Sequence, residues 1–463
     1  MRNCFLLTSI FFILLSHNAF SSNYLIINNI SIVGNKTTKS YVILRELTFK
    51  RCDSIAEDAI DEQLKLSREN LLNTSLFNFV TIDKQIEGEL LNITITVVER
   101  WYTWPSIVLQ YADRNFAAWL RNGNLQRTKI GFAIDRYNFL GRSQHLMFSM
   151  VFGYVNQFIL SYRNIAIDKD KKQFIGADFW YSQQDELIYN TKNNKPEYFK
   201  FAYQPVYQEK KIFVNYTYRP YFYGQHNFFI NYLEYNIADT ISKLNKNFFD
   251  NQTSRKNYLK FDYIYSYDRR DSKAYPLHGF FYSLDLDEIN TLPLSSSAYF
   301  SNTIYSDLYW YDELTPKIFY AGAFNFKVSA TTGDSYFIDK ALGYYYNMHG
   351  FEYNIIDGQH FVMFRNLIKF NLIPTRASDF KFLLIPKFSK IHYALYANLF
   401  ADCGYVSSTL PENGNTYANK FLYSGGVGLD LVTYYDLTLR FEYSVTRFGV
   451  QGFYINLSAP INK

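Results

Sequence analysis

The sequence predicts a membrane β protein: an antiparallel transmembrane barrel of about 16 strands preceded by one small α+β domain. Three observations predict it. Aromatic residues make up 20% of the 463-residue chain, with 43 Tyr and 43 Phe, yet mean hydropathy is only −0.20. A helical membrane protein would show runs of about 18 or more apolar residues, and none occurs beyond the N-terminus. Finally, long segments alternate apolar and polar residues, as strands with one lipid face and one wet face must. Gln359–Ile373 is the clearest. Val362, Phe364, Ile368, Phe370 and Leu372 point one way, and Arg365, Leu367, Lys369 and Asn371 the other. It exceeds the roughly 9–11 residues that a tilted strand needs to cross a bilayer. A long segment around His349-Gly350-Phe351 and Asp357-Gly358, with no sustained periodicity, precedes it. A loop of that length marks a functional element at a barrel mouth.

Residues 1–21 read as a secretory signal. Arg2 is the basic start, Cys4–Leu15 the apolar stretch and Ala19-Phe20-Ser21 the small-x-small cleavage site. The formal net charge of +5, or +4 without Arg2, is too mild and dispersed for nucleic acid. Cys52 and Cys403 fall in different predicted domains, so no disulfide joins them and both are expected as plain buried or lipid-facing thiols.

Residues 22–102 form the small domain, read as β-α-α-β-β. Ile26, Ile30 and Ile32 mark the first strand, ended by Gly34-Asn35. Thr38 is placed to cap a short helix running through Leu47. Ser54-x-x-Glu57 fits a capping box opening a helix with Ile60, Leu64 and Leu71 on one face. Val80 and Ile82, then Leu91, Ile93, Ile95 and Val97, give two closing strands. The stretches INNISIVGNKTT, ILREL, NLLNTSLFNFV and ITITVVER, in that order, resemble a POTRA domain.

From residue 103 to 463 strand follows strand. Candidates lie near Ser106–Ala112, Arg127–Tyr137, Gln144–Gly153, Gln157–Asn164, Gln173–Ser182, Lys211–Pro220, His226–Tyr235 and Asn257–Tyr267. Others lie near Gly279–Asp287, Ala298–Tyr309, Thr315–Val328, Gln359–Ile373, His392–Asp402, Phe421–Leu431, Leu437–Val445 and Gly452–Leu457. Glu197–Tyr207 reads as an extracellular hairpin extension, which keeps the count even. Near the C-terminus Leu437, Leu439, Phe441, Tyr443 and Val445 face lipid. Thr438, Arg440, Glu442, Ser444 and Thr446 face the lumen, where charges are tolerated. With the small domain in the periplasm, strand parity makes the Asn138–Ser143 turn periplasmic and the His349 loop extracellular.

The stretches NFLGRSQHL, YDRRDSKAYPLHGFFYS, MHGFEYNIIDGQ, LFADCGYV, SGGVGLDL and GFYINL, spread over residues 138–457, resemble the barrel of the BamA/TamA family of outer-membrane assembly proteins. The resemblance implies an outer-membrane location in a Gram-negative-type bacterium, with the POTRA domain in the periplasm. It implies a non-enzymatic factor that captures unfolded polypeptides and inserts β-barrel proteins into the bilayer, with periplasmic or lipoprotein accessory subunits. A secretion pore for a dedicated partner polypeptide and a passive barrel are the alternatives. In that family the long loop folds into the lumen, where an Arg-Gly-aromatic tip pairs with acidic residues on neighbouring strands. Here the tip is His349-Gly350-Phe351, Asp402 matches one acidic partner, and the other acidic position falls on Leu367. Arg365 and Lys369 compete with His349 as partners for Asp402, on strand parity alone.

The remaining motifs have structural readings. Asp268-Arg269-Arg270-Asp271, with Pro276 and Gly279, reads as a strand end and periplasmic turn rather than a carboxylate pair for catalysis. Gly425-Gly426-Val427-Gly428 lacks the helix and lysine of a phosphate loop and reads as lumen-facing strand glycines. His349 and His360 lack a third metal ligand. No enzyme, metal or cofactor is expected.

Overall fold

A computed structural model describes residues 24–111, 128–201, 204–249, 252–291, 299–379, 390–409, 414–433 and 437–457. The expected signal segment, residues 1–21, lies outside them. Contacts divide the chain into two compact units, one ending at Glu99 and one starting at Arg100.

The first unit runs β1 (Tyr24–Val33), α1 (Ser40–Leu44), β2 (Ser54–Ala56), α2 (Ile60–Asn73), β3 (Phe77–Glu87) and β4 (Leu90–Glu99). The sheet order is β2-β1-β4-β3, with β1 parallel to β4. Leu91, Ile93, Ile95 and Val97 alternate inward along β4, and Ile60, Leu64 and Leu71 of α2 are buried with them. Two expectations about caps fail. Ser54–Ala56 is a short strand paired with β1, so the Ser54–Glu57 capping box does not exist. A three-residue strand is too short for periodicity to reveal, and the element order gains a β. Thr38 does not cap α1 either; its hydroxyl donates to Glu99 at 2.6 Å. The same carboxylate takes the backbone N–H of Thr37 at 3.1 Å and of Thr38 at 2.6 Å. One glutamate at the end of β4 therefore ties down the loop after β1. Cys52 is exposed rather than buried, in a left-handed turn conformation with φ 70°.

The second unit is built on one 16-stranded antiparallel sheet. Its strands are β5 (Thr103–Tyr111), β6 (Thr128–Phe139), β7 (Gln144–Gly153), β8 (Val155–Ala166) and β9 (Gln173–Gln184). They continue as β12 (Tyr207–Tyr218), β13 (Gly224–Ile237), β14 (Arg255–Asp268), β15 (Gly279–Thr291), β16 (Phe300–Thr315) and β17 (Ile318–Thr331). The last five are β20 (His360–Asp379), β21 (Lys390–Ser407), β22 (Phe421–Val432), β23 (Thr438–Thr446) and β24 (Gln451–Leu457). The extra pairs β10 (Glu186–Lys192) with β11 (Lys195–Lys200), and β18 (Lys340–Leu342) with β19 (Ile356–Asp357), form separate hairpins in two long connections. Of the segment read as a hairpin extension, Glu197–Lys200 lies in β11 and Tyr207 opens β12.

Alternation sets the two faces. Thr438, Arg440, Glu442, Ser444 and Thr446 are all buried, while Leu437, Tyr443 and Val445 are exposed to the outside. Along β20, Arg365, Leu367 and Lys369 are buried; Val362, Ile368, Phe370 and Leu372 are outside. One glycine reading changes. Gly426 lines the lumen, where an added Cβ would sit 2.6 Å from the Phe400 ring. Gly425, one residue away, takes the outward parity of exposed Val427.

The mouth opposite the N-terminal end of β5 carries a dome of its own. Leu187, Val206, Leu233, Ile241, Phe248 and Phe249 are buried together in it, on the hairpin, the strand ends and a short helix, α3 (Asp239–Leu244). Buried Asn194, at the tip of β10–β11, stitches this dome to two other connections. Its N–H donates to Gly414 O at 2.8 Å, its carbonyl accepts from Ile355 N at 2.8 Å, and its amide oxygen accepts from Tyr417 N at 2.9 Å.

Glu99→Ala removes three acceptor contacts, each to a charged group, and should cost the first domain about 2 kcal/mol. For a domain of this size that lowers the thermal midpoint of an isolated 22–102 fragment by roughly 10 °C. An unchanged midpoint would show that the loop after β1 holds without Glu99.

Candidate functional site: a loop seated in the barrel lumen

The connection from β17 to β20 enters the lumen instead of arching over it. Its apolar residues explain the direction. Leu342, Tyr346, Met348, Phe351 and Ile356 are buried against Phe361 and Met363 of β20, Val406 of β21 and Leu422 of β22. The loop reverses at a tight turn in which Phe351 N–H donates to Met348 O at 3.1 Å. Gly350 has φ +84°, and an added Cβ would lie 2.8 Å from Thr446 Cγ2 and 3.1 Å from Ser444 Oγ. Only glycine combines that conformation with so close an approach to the wall. Tyr454 of β24 donates its hydroxyl to Gly350 O at 3.3 Å, and its ring lies tilted against Tyr353 with centroids 5.0 Å apart.

The tip places His349 in a polar socket. Its Nδ1–H donates to Asp402 Oδ2 at 2.7 Å, and its backbone N–H reaches the same oxygen at 3.1 Å. Nε2 lies 3.3 Å from Glu442 Oε1 and 3.3 Å from Arg440 Nη1. Arg440 also donates to Glu442 at 3.2 Å and to Asp430 at 3.1 Å. The imidazole lies against the Phe400 ring, with centroids 4.4 Å apart, and Phe400 itself occupies the space that Gly426 leaves. His349 and Asp402 are 6% and 3% exposed, so water cannot replace these contacts.

Nε2 faces an acceptor and a donor at equal distance. A neutral ring accepts from Arg440; a protonated ring donates to Glu442. Burial alone would lower the His349 pKa, but the carboxylates of Asp402 and Glu442 outweigh it and hold the value above 6.5. Glu352, on the same loop, is pushed up to about 8 by burial and by the charge of Glu442.

His349, Gly350, Phe351 and Asp402 are thus brought into one site. The rivals for Asp402 are occupied elsewhere. Arg365, its cross-strand neighbour, donates to Asn325 Oδ1 at 3.3 Å and Asn347 O at 3.4 Å. Lys369 donates to Pro276 O at 3.0 Å. Leu367, which fills the expected second acidic position, packs in an apolar cluster with Tyr309, Ala321 and Phe400. Glu442 supplies the second carboxylate from another strand. Alternation had placed Arg440 and Glu442 on the lumen face, but no local signal says which loop meets them.

Asp268, Asp271, Pro276 and Gly279 lie together in the β14–β15 turn. Asp268 takes two bonds from Arg270 at 2.7 Å. The Asp271 carboxylate accepts the backbone N–H groups of Ser272, Leu277 and His278 at 2.8–3.2 Å. Gly279 has φ +93°. This is turn chemistry, as the sequence suggested, though Tyr275 and Pro276 reach into the lumen. His360 accepts from Ser329 N at 3.2 Å and takes no part in the His349 socket. Asp262, Asp285 and Asp287 cluster on the lumen wall, with Lys260 Nζ 2.6 Å from Asp262 and 2.8 Å from Asp287. A lysine thus supplies the cation there. Beside the loop a chamber of about 810 Å³ remains, lined by Asp285, Asp287, Asp307, Tyr305 and Arg365 among others.

Residues 25–100 match the POTRA family, described as surface antigen variable number repeat. A comparison with curated proteins finds no match. Among solved structures the chain is similar to BamA from Haemophilus ducreyi lacking POTRA domains 1–3, at 15% identity and TM-score 0.51, covering 94% of this chain and 84% of that one. It is also similar to CdiB from Escherichia coli, at 10% identity and TM-score 0.54, covering 94% of this chain and 76% of that one. The fold shared with these structures is a 16-stranded antiparallel sheet, here preceded by a domain that matches the POTRA family.

Both titrating groups on the loop act in the same direction. The His349 contribution is complete below about 6.5 and is lost as pH rises through its higher folded value. The Glu352 contribution drains between its ordinary 4.5 and about 8. Amide exchange of residues 346–352, corrected for the intrinsic base-catalysed rate, should therefore speed up between pH 6 and 8.5. His349→Arg and Glu352→Gln should each flatten part of that rise, while Asp402→Asn should leave the loop loose throughout. A parent whose corrected protection does not change with pH would sink the electrostatic account of the latch.

Proposed function

We propose that this protein is an outer-membrane assembly or translocation factor that takes polypeptide from the periplasm and releases it into the membrane at the barrel seam. The observation that carries the reading is the pattern of strand ends. The 16-stranded sheet terminates at β5 and β24, and among the described residues no ladder joins them. Backbone donors and acceptors left unpaired in lipid cost several kcal/mol each, so a second strand laid on these edges lowers the free energy. Pro105 in β5 fits an edge position, since proline removes a ladder donor. The POTRA sheet has a comparable open edge at β3, suited to catching extended peptide by strand addition. The latched loop and the dome favour this seam over the lumen as the exit route. Release is driven by the client's own pairing and burial, as β-augmentation requires.

A photo-crosslinker at Ile107, 82% exposed on β5, should capture nascent outer-membrane polypeptides. The same probe at Ile212, on the lipid face of β12 and 46% exposed, should not. Depletion should lower many outer-membrane barrels. Loss of a single secreted protein would favour the dedicated pore instead. Equal labelling at both positions together with an unchanged outer-membrane proteome would leave a passive barrel.

A further inference from the structure

The turn between β14 and β15 does more than join two strands. Parity places it at the end of the barrel where the chain enters β5, opposite the mouth from which the His349 loop descends. Tyr275 projects from the turn into the lumen and is 6% exposed. Its hydroxyl donates to Asp430 Oδ2 at 2.9 Å. Asp430, fully buried, accepts from Arg440 Nε through its other oxygen. Arg440 then holds Glu442 and contacts His349 Nε2. Every link is a buried, charge-bearing contact, from the turn of one mouth to the loop of the other. The turn is fixed to the wall independently. Lys369 donates to Pro276 O, and its ammonium sits 4.1 Å from the centroid of the Tyr275 ring. The Tyr275 and Tyr396 rings lie 4.9 Å apart.

We propose that the β14–β15 turn is the inner bolt of the loop latch: displacing Tyr275 from Asp430 at the periplasmic mouth releases His349 from its socket. The physical reason is competition for one guanidinium. Asp430 is buried with two strong donors, Tyr275 and Arg440. Without the tyrosine hydroxyl it leans harder on the cations around it, Arg440 above all, to which it is already bonded. The guanidinium then leaves Glu442 and Nε2, and the loop loses part of its socket. Anything that binds the turn from the periplasm thereby loosens a loop at the opposite mouth. Two discrete arrangements are implied, loop seated and loop released, and both ends bias the same equilibrium.

The test is a double-mutant cycle on the full-length protein in detergent, read by deuterium uptake of residues 346–352 at fixed pH. Tyr275→Phe keeps the ring and deletes one bond to a buried charge, so uptake of the loop should rise about tenfold. In the Asp402→Asn background, where the latch is already open, the same change should add less than about twofold, the non-additivity expected of one network. Lys369→Met removes the turn's second anchor, along with a cation whose charge reaches Asp430 and Arg440. It should loosen the loop in the same direction, which keeps the test decisive if Tyr275→Phe folds poorly. Faster exchange confined to residues 269–278, or effects of Tyr275→Phe and Asp402→Asn that simply multiply, would overturn the coupling. The experiment needs no client polypeptide, so it stands or fails apart from the assembly reading.

Discussion

A charge enclosed in a barrel lumen must be met by another charge, and the interior of this protein is arranged around that demand. Asp402, Asp430 and Glu442 are each almost completely shielded from solvent. Left alone, any of them would cost several kcal/mol. Arg440 answers two of them, and His349 answers Asp402 and faces Glu442. The long loop is therefore drawn down the lumen by electrostatics as well as by its apolar residues. Removing one member exposes the others to an unpaired burial, so the cluster behaves as a unit rather than as a sum of pairs.

The choice of histidine in that cluster has consequences that arginine would not have. A guanidinium is charged at every physiological pH and offers several donors. An imidazole offers two donors when charged and one when neutral, and it sits at the only side-chain pKa near neutrality. Here its second nitrogen lies equally close to a donor and an acceptor. The seat can thus persist after deprotonation, held by Arg440, but more weakly. That is a latch of adjustable strength rather than a fixed bolt.

Much of this was legible in the sequence because the bilayer is a severe reader. Strict alternation along β20 and β23 was enough to place Arg365, Lys369, Arg440 and Glu442 on the lumen face. The hydrogen-bonding demand of a membrane leaves few other options for such segments. What failed was of two kinds. Short elements without a period escaped, as with Ser54–Ala56, where a capping pattern was a plausible but wrong account of three strand residues. Pairing between distant segments escaped as well. The second acidic partner of the loop stands not at Leu367, on the strand that follows the loop, but at Glu442 of β23. Nor does anything local in the β14–β15 turn announce that Tyr275 will meet Asp430. Periodicity fixes which way a side chain points; only the curvature of the whole sheet decides what stands opposite.

The central claim is that the loop is seated by an imidazolium held between two carboxylates. Titration of His349 by nitrogen NMR, in full-length protein with selectively labelled histidine, measures this directly. The account predicts a pKa above 6.5, with the Nδ1 proton retained on both sides of the transition because Asp402 accepts it in either state. It also predicts a fall toward or below 6.5 in Asp402→Asn. A ring that titrates at or below 6.5 in the parent, unchanged by Asp402→Asn, would contradict it.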